Sequence, residues 1–367
     1  MNDSAITVHD FAIRRDDWTQ SEFFTRTIDP PGEGEVLFRI DRYALTSNNI
    51  SYAVAGDMLG YWKFFPAEDA WGRLPCFAFA DVERSGHPDV RVGDRYFGYF
   101  PMSTHLLVVA DRVKPESLID STEHRRQLPA AYNRYTNTSQ DPLYQKRYED
   151  AQMLMQPLFL TSWLVDDFLA ENDFFGAKSI IITSASSKTS IALAFQLKQR
   201  SLGQVIGLTS PRNVSFVEGV GFYDQVLSYD AIETLNASTP VTMVDMAGDR
   251  ELIGRLHRHF GDNMKYNCIV GATHWDRGGR DKDLPGAEPQ FFFAPTQIKK
   301  RSDEWGRVGL MQRIGEAWIP FVRKSDDWLQ VVRHQGRDAI ARIYAKVVAG
   351  DCAPNEGQIL SFWEDRP

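Results

Sequence analysis

The sequence contains few cysteines. Cys76, Cys268 and Cys352 are the only three in 367 residues, and no two of them form a CxxC pair. Their wide separation argues against a disulfide framework and against an all-cysteine zinc site. The apolar runs of about 18 residues that a membrane-spanning helix needs are also missing. We therefore expect no membrane partner.

Basic residues are outnumbered by acidic ones. The chain has 41 Lys and Arg against 49 Asp and Glu, for a formal net charge of -8, which argues against a nucleic-acid partner. The basic run at 299–301 is typical of a solvated loop. The first residues, MNDSAITVHDFAIRRDDW, contain no apolar core of a signal peptide, so a cytoplasmic location is expected.

The first 120 residues have the pattern of a β-rich domain. EVLFRIDRYAL (35–45) follows the turn sequence PPGEG, and FAFADVERSG (77–86) has a similar apolar pattern. Residues 92–110 predict further strands, interrupted at Gly98 and Pro101. Short strands at this spacing predict a compact barrel or sandwich.

Residues 121–155 differ from this pattern because they are polar and contain four tyrosines. The segment is long for a connector, and long loops in compact proteins are usually functional or mobile. An ordered surface excursion and a role at a site both remain open.

From residue 156 onwards, predicted strands alternate with predicted helices. This order predicts a parallel sheet that is covered by helices on both faces. The predicted strands are 179–183, 204–209, 224–229, 240–248 and 266–273, and the predicted helices include 190–200 and 251–261. The C-terminal residues predict a helix, a turn and a final strand.

Glycine is missing from the turn after the first of these strands, where a nucleotide-binding fold usually has it. A Walker A loop is disfavoured because Ile182 and Ser187 occupy its glycine positions. Ser184, Ser187 and Ser190 instead have the GxxGxxG spacing of a dinucleotide-binding turn. Hydroxyls, a lysine and the amides of the following helix N-terminus predict a phosphate site. A serine-capped helix start is the alternative. The candidate pyrophosphate ligands are Ser184, Ser187, Lys188 and Thr189.

The second strand of the series ends in GLTSPRN, without the acidic residue that holds the ribose hydroxyls in NAD-binding folds. Thr209, Ser210 and Arg212 are suited to a 2′-phosphate instead, because arginine binds phosphate through paired hydrogen bonds. The pattern therefore favours NADP(H), unless these residues form only a polar turn.

The order of these segments resembles the medium-chain dehydrogenase/reductase superfamily, in particular its zinc-free quinone oxidoreductase-like and enoyl reductase-like branch. The similar motifs are PGEGEVLFRIDRYALTSNNISYAVAGD (31–57), VGDRYFGYFP (92–101) and LFLTSWLVDDFL (158–169). The resemblance implies an α/β protein with a GroES-like β-barrel domain and a Rossmann domain with a doubly wound parallel sheet. The implied bounds are 1–155 with 310–367 for the barrel domain, including an insertion at 121–155, and 156–309 for the Rossmann domain.

The sequence departs from the pattern of the zinc-dependent members of this superfamily. Zinc-dependent members have a cysteine and a His-Glu pair where this chain has Ser47, Phe77 and Ala78, so no catalytic metal is expected. Relatives pair the edge strands of their nucleotide domains, which implies a homodimer.

Zinc-free relatives transfer hydride from a nicotinamide, so the protein must position the substrate and stabilise its developing negative charge. The resemblance implies Ser47, Asn49 and Tyr52 as candidate catalytic residues, although Asn49 and Tyr52 also fit a packed helix. Thr161, Gly271 and Thr273 are implied near the nicotinamide and its ribose. His274 is a further candidate contact.

Together these observations predict an NADP(H)-dependent oxidoreductase that reduces an activated C=C or C=O bond of a small apolar enone, quinone or carbonyl compound without zinc. A protein that binds a small molecule or a partner on a degenerate dehydrogenase scaffold, without catalysis, is the alternative.

Overall fold

The structure is a computed structural model of the chain, and it describes residues 4–200, 203–270 and 284–364. The chain forms two compact units. The first comprises Met1–Leu154 with Leu329–Pro367, and the second comprises Met155–Trp328.

Strands and helices are numbered separately in chain order. The strands are β1 (Ile6–Arg14), β2 (Ser21–Ile28), β3 (Glu35–Leu45), β4 (Trp71–Gly72), β5 (Pro75–Ser85), β6 (Arg95–Pro101), β7 (His105–Lys114), β8 (Ser117–Asp120), β9 (Arg134–Asn137), β10 (Ser179–Ile182), β11 (Gln204–Thr209), β12 (Gln225–Ser228), β13 (Val241–Asp245), β14 (Met264–Ile269), β15 (Pro289–Phe291), β16 (Gln330–Gln335) and β17 (Glu356–Ser361). The α-helices are α1 (Ser47–Val54), α2 (Glu149–Glu171), α3 (Lys188–Gln199), α4 (Val214–Val220), α5 (Arg250–Phe260), α6 (Ala294–Lys324) and α7 (Arg337–Val348).

Six antiparallel strands of the first unit close into a barrel in the order β3-β5-β6-β9-β8-β7, and β7 pairs back with β3. The interior is aromatic, with the Phe100 ring 5.5 Å from Phe38 and 4.7 Å from Tyr135. Gly98 is required in β6 because a Cβ there would lie 2.5 Å from the Tyr135 ring. The predicted GroES-like barrel is confirmed.

Segment 121–155 forms part of the barrel wall. Its strand β9 lies between β6 and β8, and Tyr135 on this strand is fully buried. The segment ends in the second turn of α2. Neither sequence alternative anticipated that these residues complete the barrel.

The second unit has a parallel six-stranded sheet in the order β12-β11-β10-β13-β14-β15. The chain starts at β10, proceeds outward to β12, and then returns to β13 on the other side. This is the doubly wound Rossmann order, so the prediction is confirmed. In such sheets ligands bind at the carboxyl ends of the two central strands, here β10 and β13, where the winding reverses.

Helix α6 packs within the second unit, which accordingly extends to Trp328. The Phe321 ring lies 5.0 Å from Phe159 on α2 and 5.4 Å from Phe195 on α3. Trp318 is buried against the same Phe159 ring at 5.3 Å. Across the described residues, no helix combines the length and apolar character needed to cross a membrane.

Candidate functional site

Two side chains join the carboxyl ends of the central strands β10 and β13. The Thr183 hydroxyl donates to Asp245 Oδ1 at 2.7 Å and accepts from the Met246 amide at 2.8 Å. The Asp245 carboxylate also accepts from the amides of Ala247 at 3.1 Å and Gly248 at 3.0 Å. This network fixes both loops that leave the reversal point of the sheet.

Asp245 is a positioning residue that the sequence analysis missed. Burial raises the pKa of its carboxyl above the ordinary value, and the hydrogen bond from Thr183 opposes that shift. The available signal was the sequence VTMVDMAG, in which an acid ends a mostly apolar strand.

The turn after β10 leads into α3 and contains no glycine. Ser184 adopts φ +47°, in the left-handed region that glycine normally occupies. Its carbonyl accepts from the Ser187 amide at 2.8 Å, and its own amide donates to the Tyr229 hydroxyl at 3.1 Å. Holding a serine in this region costs about 1–2 kcal/mol, which the surrounding contacts must offset.

Ser187 caps the N-terminus of α3. Its hydroxyl accepts from the Ser190 amide at 3.1 Å and donates to the Ser190 hydroxyl at 2.9 Å. Ser190 in turn donates to the Thr183 carbonyl at 2.9 Å. The serine-capped helix start therefore exists, and it leaves the helix N-terminus at the reversal point. A phosphate there would be held by backbone amides rather than by the Ser187 hydroxyl.

The end of β11 lies against this turn. The hydroxyl of Ser186 accepts from the Thr209 hydroxyl at 3.3 Å and from Asn213 Nδ2 at 3.1 Å. Ser210 is half-buried, whereas Arg212 is exposed. Among the described residues no side-chain partner of Arg212 is found. A guanidinium next to the turn thus remains available for an anion. Ser186 and Asn213 were not among the candidate ligands from sequence.

The remaining cofactor candidates are placed as follows. Lys188 is half-buried as the first residue of α3, and the Thr189 carbonyl accepts from the Ser162 hydroxyl at 2.7 Å. Thr161 lies on α2, where its hydroxyl donates to the Pro157 carbonyl at 3.4 Å. Gly271, Thr273 and His274 lie outside the described residues.

In the first unit, Asn49 is committed to holding α1 in place. Its Oδ1 accepts from the Thr46 amide at 2.8 Å and completes a capping box. Its Nδ2 donates to the Pro75 carbonyl at 3.0 Å, on β5. Ser47, the first residue of α1, is exposed.

Tyr52 is placed as a hydrogen-bond donor. Asn48 Nδ2 donates to the Tyr52 hydroxyl oxygen at 2.7 Å, so the phenol proton points elsewhere. The ring stacks on Tyr61 at 4.3 Å between centroids. Burial raises the pKa of Tyr52 well above its usual value, with the nearby Tyr132 and Tyr61 contributing, which keeps the phenol protonated.

The positions that hold zinc in metal-dependent relatives carry no metal ligands. Ala78 is fully buried in the barrel, and the Phe77 ring packs on Tyr99 at 5.1 Å. A search of the described residues finds no group of three or more His, Cys, Asp or Glu that could hold a metal ion.

Comparisons with known proteins give a family and a fold. The family model described as "Protein of unknown function (DUF2855)" matches residues 43–353. No curated protein sequence matches the chain.

Several solved structures are similar over nearly the whole chain. The quinone oxidoreductase from Coxiella burnetii has a TM-score of 0.57 and 12% identity over 98% of this chain and 100% of that chain. A mutant Etr1p in complex with NADP and crotonyl-CoA has a TM-score of 0.57 and 11% identity, with coverage of 98% and 100%. A mutant enoyl thioester reductase from Candida tropicalis has a TM-score of 0.54 and 10% identity, with coverage of 97% and 100%. At this identity the similarity establishes the shared two-domain fold.

Proposed function

This chain belongs to the family described as "Protein of unknown function (DUF2855)", and from its sites we propose that it is an NADP(H)-dependent reductase. It transfers hydride, without zinc, to an activated C=C or C=O bond of a small apolar enone, quinone or carbonyl compound. The observation that carries this proposal is the turn at the end of β10. It retains a left-handed residue at Ser184 and leads directly into the N-terminus of α3.

The donor groups at this turn fit the anionic parts of NADP(H). A helix N-terminus favours a negative charge, and Lys188 adds a positive one in the first turn of α3. The end of β11 has no carboxylate that would repel a 2′-phosphate, and Arg212 is exposed there. These features support NADP(H) over NAD(H).

The residues of the first unit supply the remaining chemistry. Bound NADPH would provide the hydride. Asn48 holds the oxygen of Tyr52 in place, so that the phenol proton is available to the oxygen of the substrate as negative charge develops on it. Ser47 is exposed beside this group, and Asn49 positions the helix that carries it.

Replacing Arg212 by alanine tests the cofactor assignment. We expect NADPH binding to weaken by about 1.5–3 kcal/mol, the usual range for a charge-assisted contact, and NADH binding to change little.

Lys188→Ala should weaken the binding of both cofactors alike, because both contain the pyrophosphate, and its effect should shrink at high salt. Titrations that follow nicotinamide fluorescence measure all four affinities.

Arg307→Ala, which removes an exposed arginine on α6, is the matched control and should alter neither affinity. Equal losses of NADPH and NADH binding in Arg212→Ala would reject this residue as the 2′-phosphate ligand.

Activity measured after exhaustive chelation should be unchanged, and stoichiometric zinc in the purified protein would contradict the zinc-free reaction.

One observation favours the non-catalytic alternative. The Ser184 amide, at the first position of the serine motif, already donates to the Tyr229 hydroxyl. A scaffold that binds a small molecule or a partner without cofactor would retain this internal contact. Wild-type protein that binds neither NADPH nor NADH at millimolar concentration would establish the alternative and reject the reductase.

We also propose that the protein is a homodimer that pairs through β15. This strand is one of the two edges of the described sheet; Phe291 on it and Phe293 just after it are 53% and 58% exposed. Replacing both by aspartate should yield a monomer in light scattering, whereas Val308→Asp on α6, at an 82% exposed position, should not. A monomeric wild-type protein at tens of micromolar would reject the dimer.

A further inference from the structure

Four tyrosines form a connected group in the first unit, which we call the tyrosine cluster. Its members are Tyr52, Tyr61, Tyr99 and Tyr132. The Tyr52 ring stacks on Tyr61 at 4.3 Å and meets Tyr99 edge-on at 6.1 Å. Tyr132 lies 4.8 Å from Tyr99 and 6.4 Å from Tyr61. Four phenols in mutual contact form an aromatic surface that also carries hydroxyl donors.

The hydroxyls of the cluster are not all satisfied. Tyr52 accepts from Asn48, and Tyr61 and Tyr132 hydrogen-bond each other. Tyr99 is 1% exposed, and within the described residues its hydroxyl has no hydrogen-bond partner. Leaving a buried hydroxyl unpaired costs about 1–3 kcal/mol, so its retention calls for an explanation.

The ring of Tyr99 contacts two other rings of the cluster, those of Tyr52 and Tyr132. Burial raises the pKa of Tyr99 well above its usual value, and the next contributions come from Tyr52, Tyr132 and Tyr61. Tyr99 therefore remains a neutral phenol that can donate a hydrogen bond.

Segment 121–155 supplies Tyr132 and holds it firmly. Buried Arg125 donates to the Tyr132 carbonyl at 2.7 Å, to Asp120 at 2.9 Å and to the Tyr135 hydroxyl at 2.7 Å. Tyr135 in turn donates to the Tyr99 carbonyl at 3.0 Å. The backbone at Tyr132 is thus fixed, while its side chain remains partly exposed, as does that of Tyr61.

We propose that the tyrosine cluster is the binding site for an aromatic carbonyl compound, with Tyr99 as a second donor, besides Tyr52, to the carbonyl oxygen and Tyr61 and Tyr132 as the outer pair that admits and covers the ring. The inference rests on the proposed reductase, because it names the substrate class of that enzyme. It assigns to segment 121–155 the selection of aromatic over aliphatic substrates.

The chemistry of the cluster decides between ligand classes. Stacked phenol faces favour a planar aromatic ring, with each aromatic pair contributing about 0.5–1.5 kcal/mol beyond the buried area. A carboxylate or phosphate is disfavoured, because Arg125, the cation packed over Phe64 and Phe65, already donates to Asp120, Asn133 and Tyr132. A neutral carbonyl oxygen matches an unpaired neutral donor.

Two probes differ only in the group that the cluster should select. Benzylideneacetone carries a phenyl ring conjugated to its enone, and its pentenone analogue carries a methyl group instead. We expect calorimetric titration of the full-length protein, without nucleotide, to show that benzylideneacetone binds at least about tenfold more tightly than pentenone. Similar affinity for the two ketones would overturn the proposal.

Conservative variants then identify the contacts. Tyr99→Phe should weaken benzylideneacetone binding about five- to twentyfold without lowering the melting temperature, because the lost hydroxyl has no internal partner within the described residues. Tyr132→Leu should weaken benzylideneacetone binding by a similar factor and leave pentenone unchanged. Benzylideneacetone binding that survives both substitutions unchanged would overturn the proposal.

Tyr43→Phe is the matched control. Tyr43 is another buried tyrosine whose hydroxyl is unpaired within the described residues, and there its ring makes no contact with the four rings of the cluster. Its replacement should change neither stability nor ketone binding. An equal loss of binding in Tyr43→Phe and Tyr99→Phe would show a general packing effect and would overturn the role of Tyr99.

These binding experiments also distinguish a failure of the proposed aromatic site from a failure of the proposed reductase activity. Selective binding of benzylideneacetone in a protein that binds no NADPH would support the aromatic site and reject the reductase. NADPH binding without detectable benzylideneacetone binding would overturn the aromatic site and leave the reductase standing.

Discussion

Replacing Glu149 by alanine is expected to lower the free energy of unfolding by about 3 kcal/mol, more than any surface substitution. Glu149 is buried in the first turn of α2 and accepts from Arg42 Nη2 at 2.5 Å and Arg95 Nε at 2.7 Å. The Tyr144 hydroxyl donates to the same carboxylate at 2.8 Å. Its removal takes away the more deeply buried of the two carboxylates that Arg42 and Arg95 share, the other being that of Asp41. Urea unfolding followed by circular dichroism measures the loss.

Matched substitutions separate charge from packing. Glu149→Gln retains the shape and should cost less than alanine, because the amide oxygen can still accept one hydrogen bond. Asp16→Ala breaks an exposed pair with Arg14 and should change the stability much less than Glu149→Ala, because solvent screens that pair. Asp41 and Asp81 also accept hydrogen bonds from Arg95. A loss below about 1 kcal/mol for Glu149→Ala would show that these two carboxylates are sufficient to stabilise the buried arginine charge without Glu149.

The fold was predictable from sequence because its strands carry strong local patterns. SIII and VTMVD are wholly buried, and QVIGLT is buried after its first residue, as expected for central parallel strands. Their alternation with helices leads to a doubly wound sheet. Strand β9, RYTN, has only four residues and no apolar alternation that distinguishes it from a loop. Its pairing with β6 and β8 depends on contacts distant in sequence.

The candidate sites were predictable only in part. Serines at 184, 187 and 190 identified the turn and left a phosphate site and a serine-capped helix start as alternatives, and the structure shows Ser187 as the helix cap. For Asn49 the sequence left a catalytic role and a packed helix as alternatives, and in the structure both of its polar ends bind within the barrel domain. The role of Tyr99 depends on burial against residues far away in the sequence, such as Tyr135, and spacing does not reveal such contacts.

Replacing Tyr52 by phenylalanine is expected to reduce kcat about 100-fold or more, equivalent to about 2.7 kcal/mol of transition-state stabilisation. The substitution removes only the proton that Asn48 leaves available and retains the ring that stacks on Tyr61. Because NADPH does not depend on this hydroxyl in the proposed site, its dissociation constant should be unchanged. The rate is measured in steady-state assays of benzylideneacetone reduction, in which the oxidation of NADPH is monitored.

The companion variant Asn48→Ala tests positioning separately from proton donation. It leaves the phenol in place but removes the amide that holds its oxygen at 2.7 Å, so we expect a smaller loss of about tenfold in kcat. Tyr43→Phe removes a buried hydroxyl elsewhere in the same domain and should retain the full rate. If Tyr52→Phe keeps the wild-type kcat, the proton reaches the substrate by another route and Tyr52 only packs in α1. A loss confined to KM would instead make its hydroxyl a substrate-binding contact without a part in the chemical step.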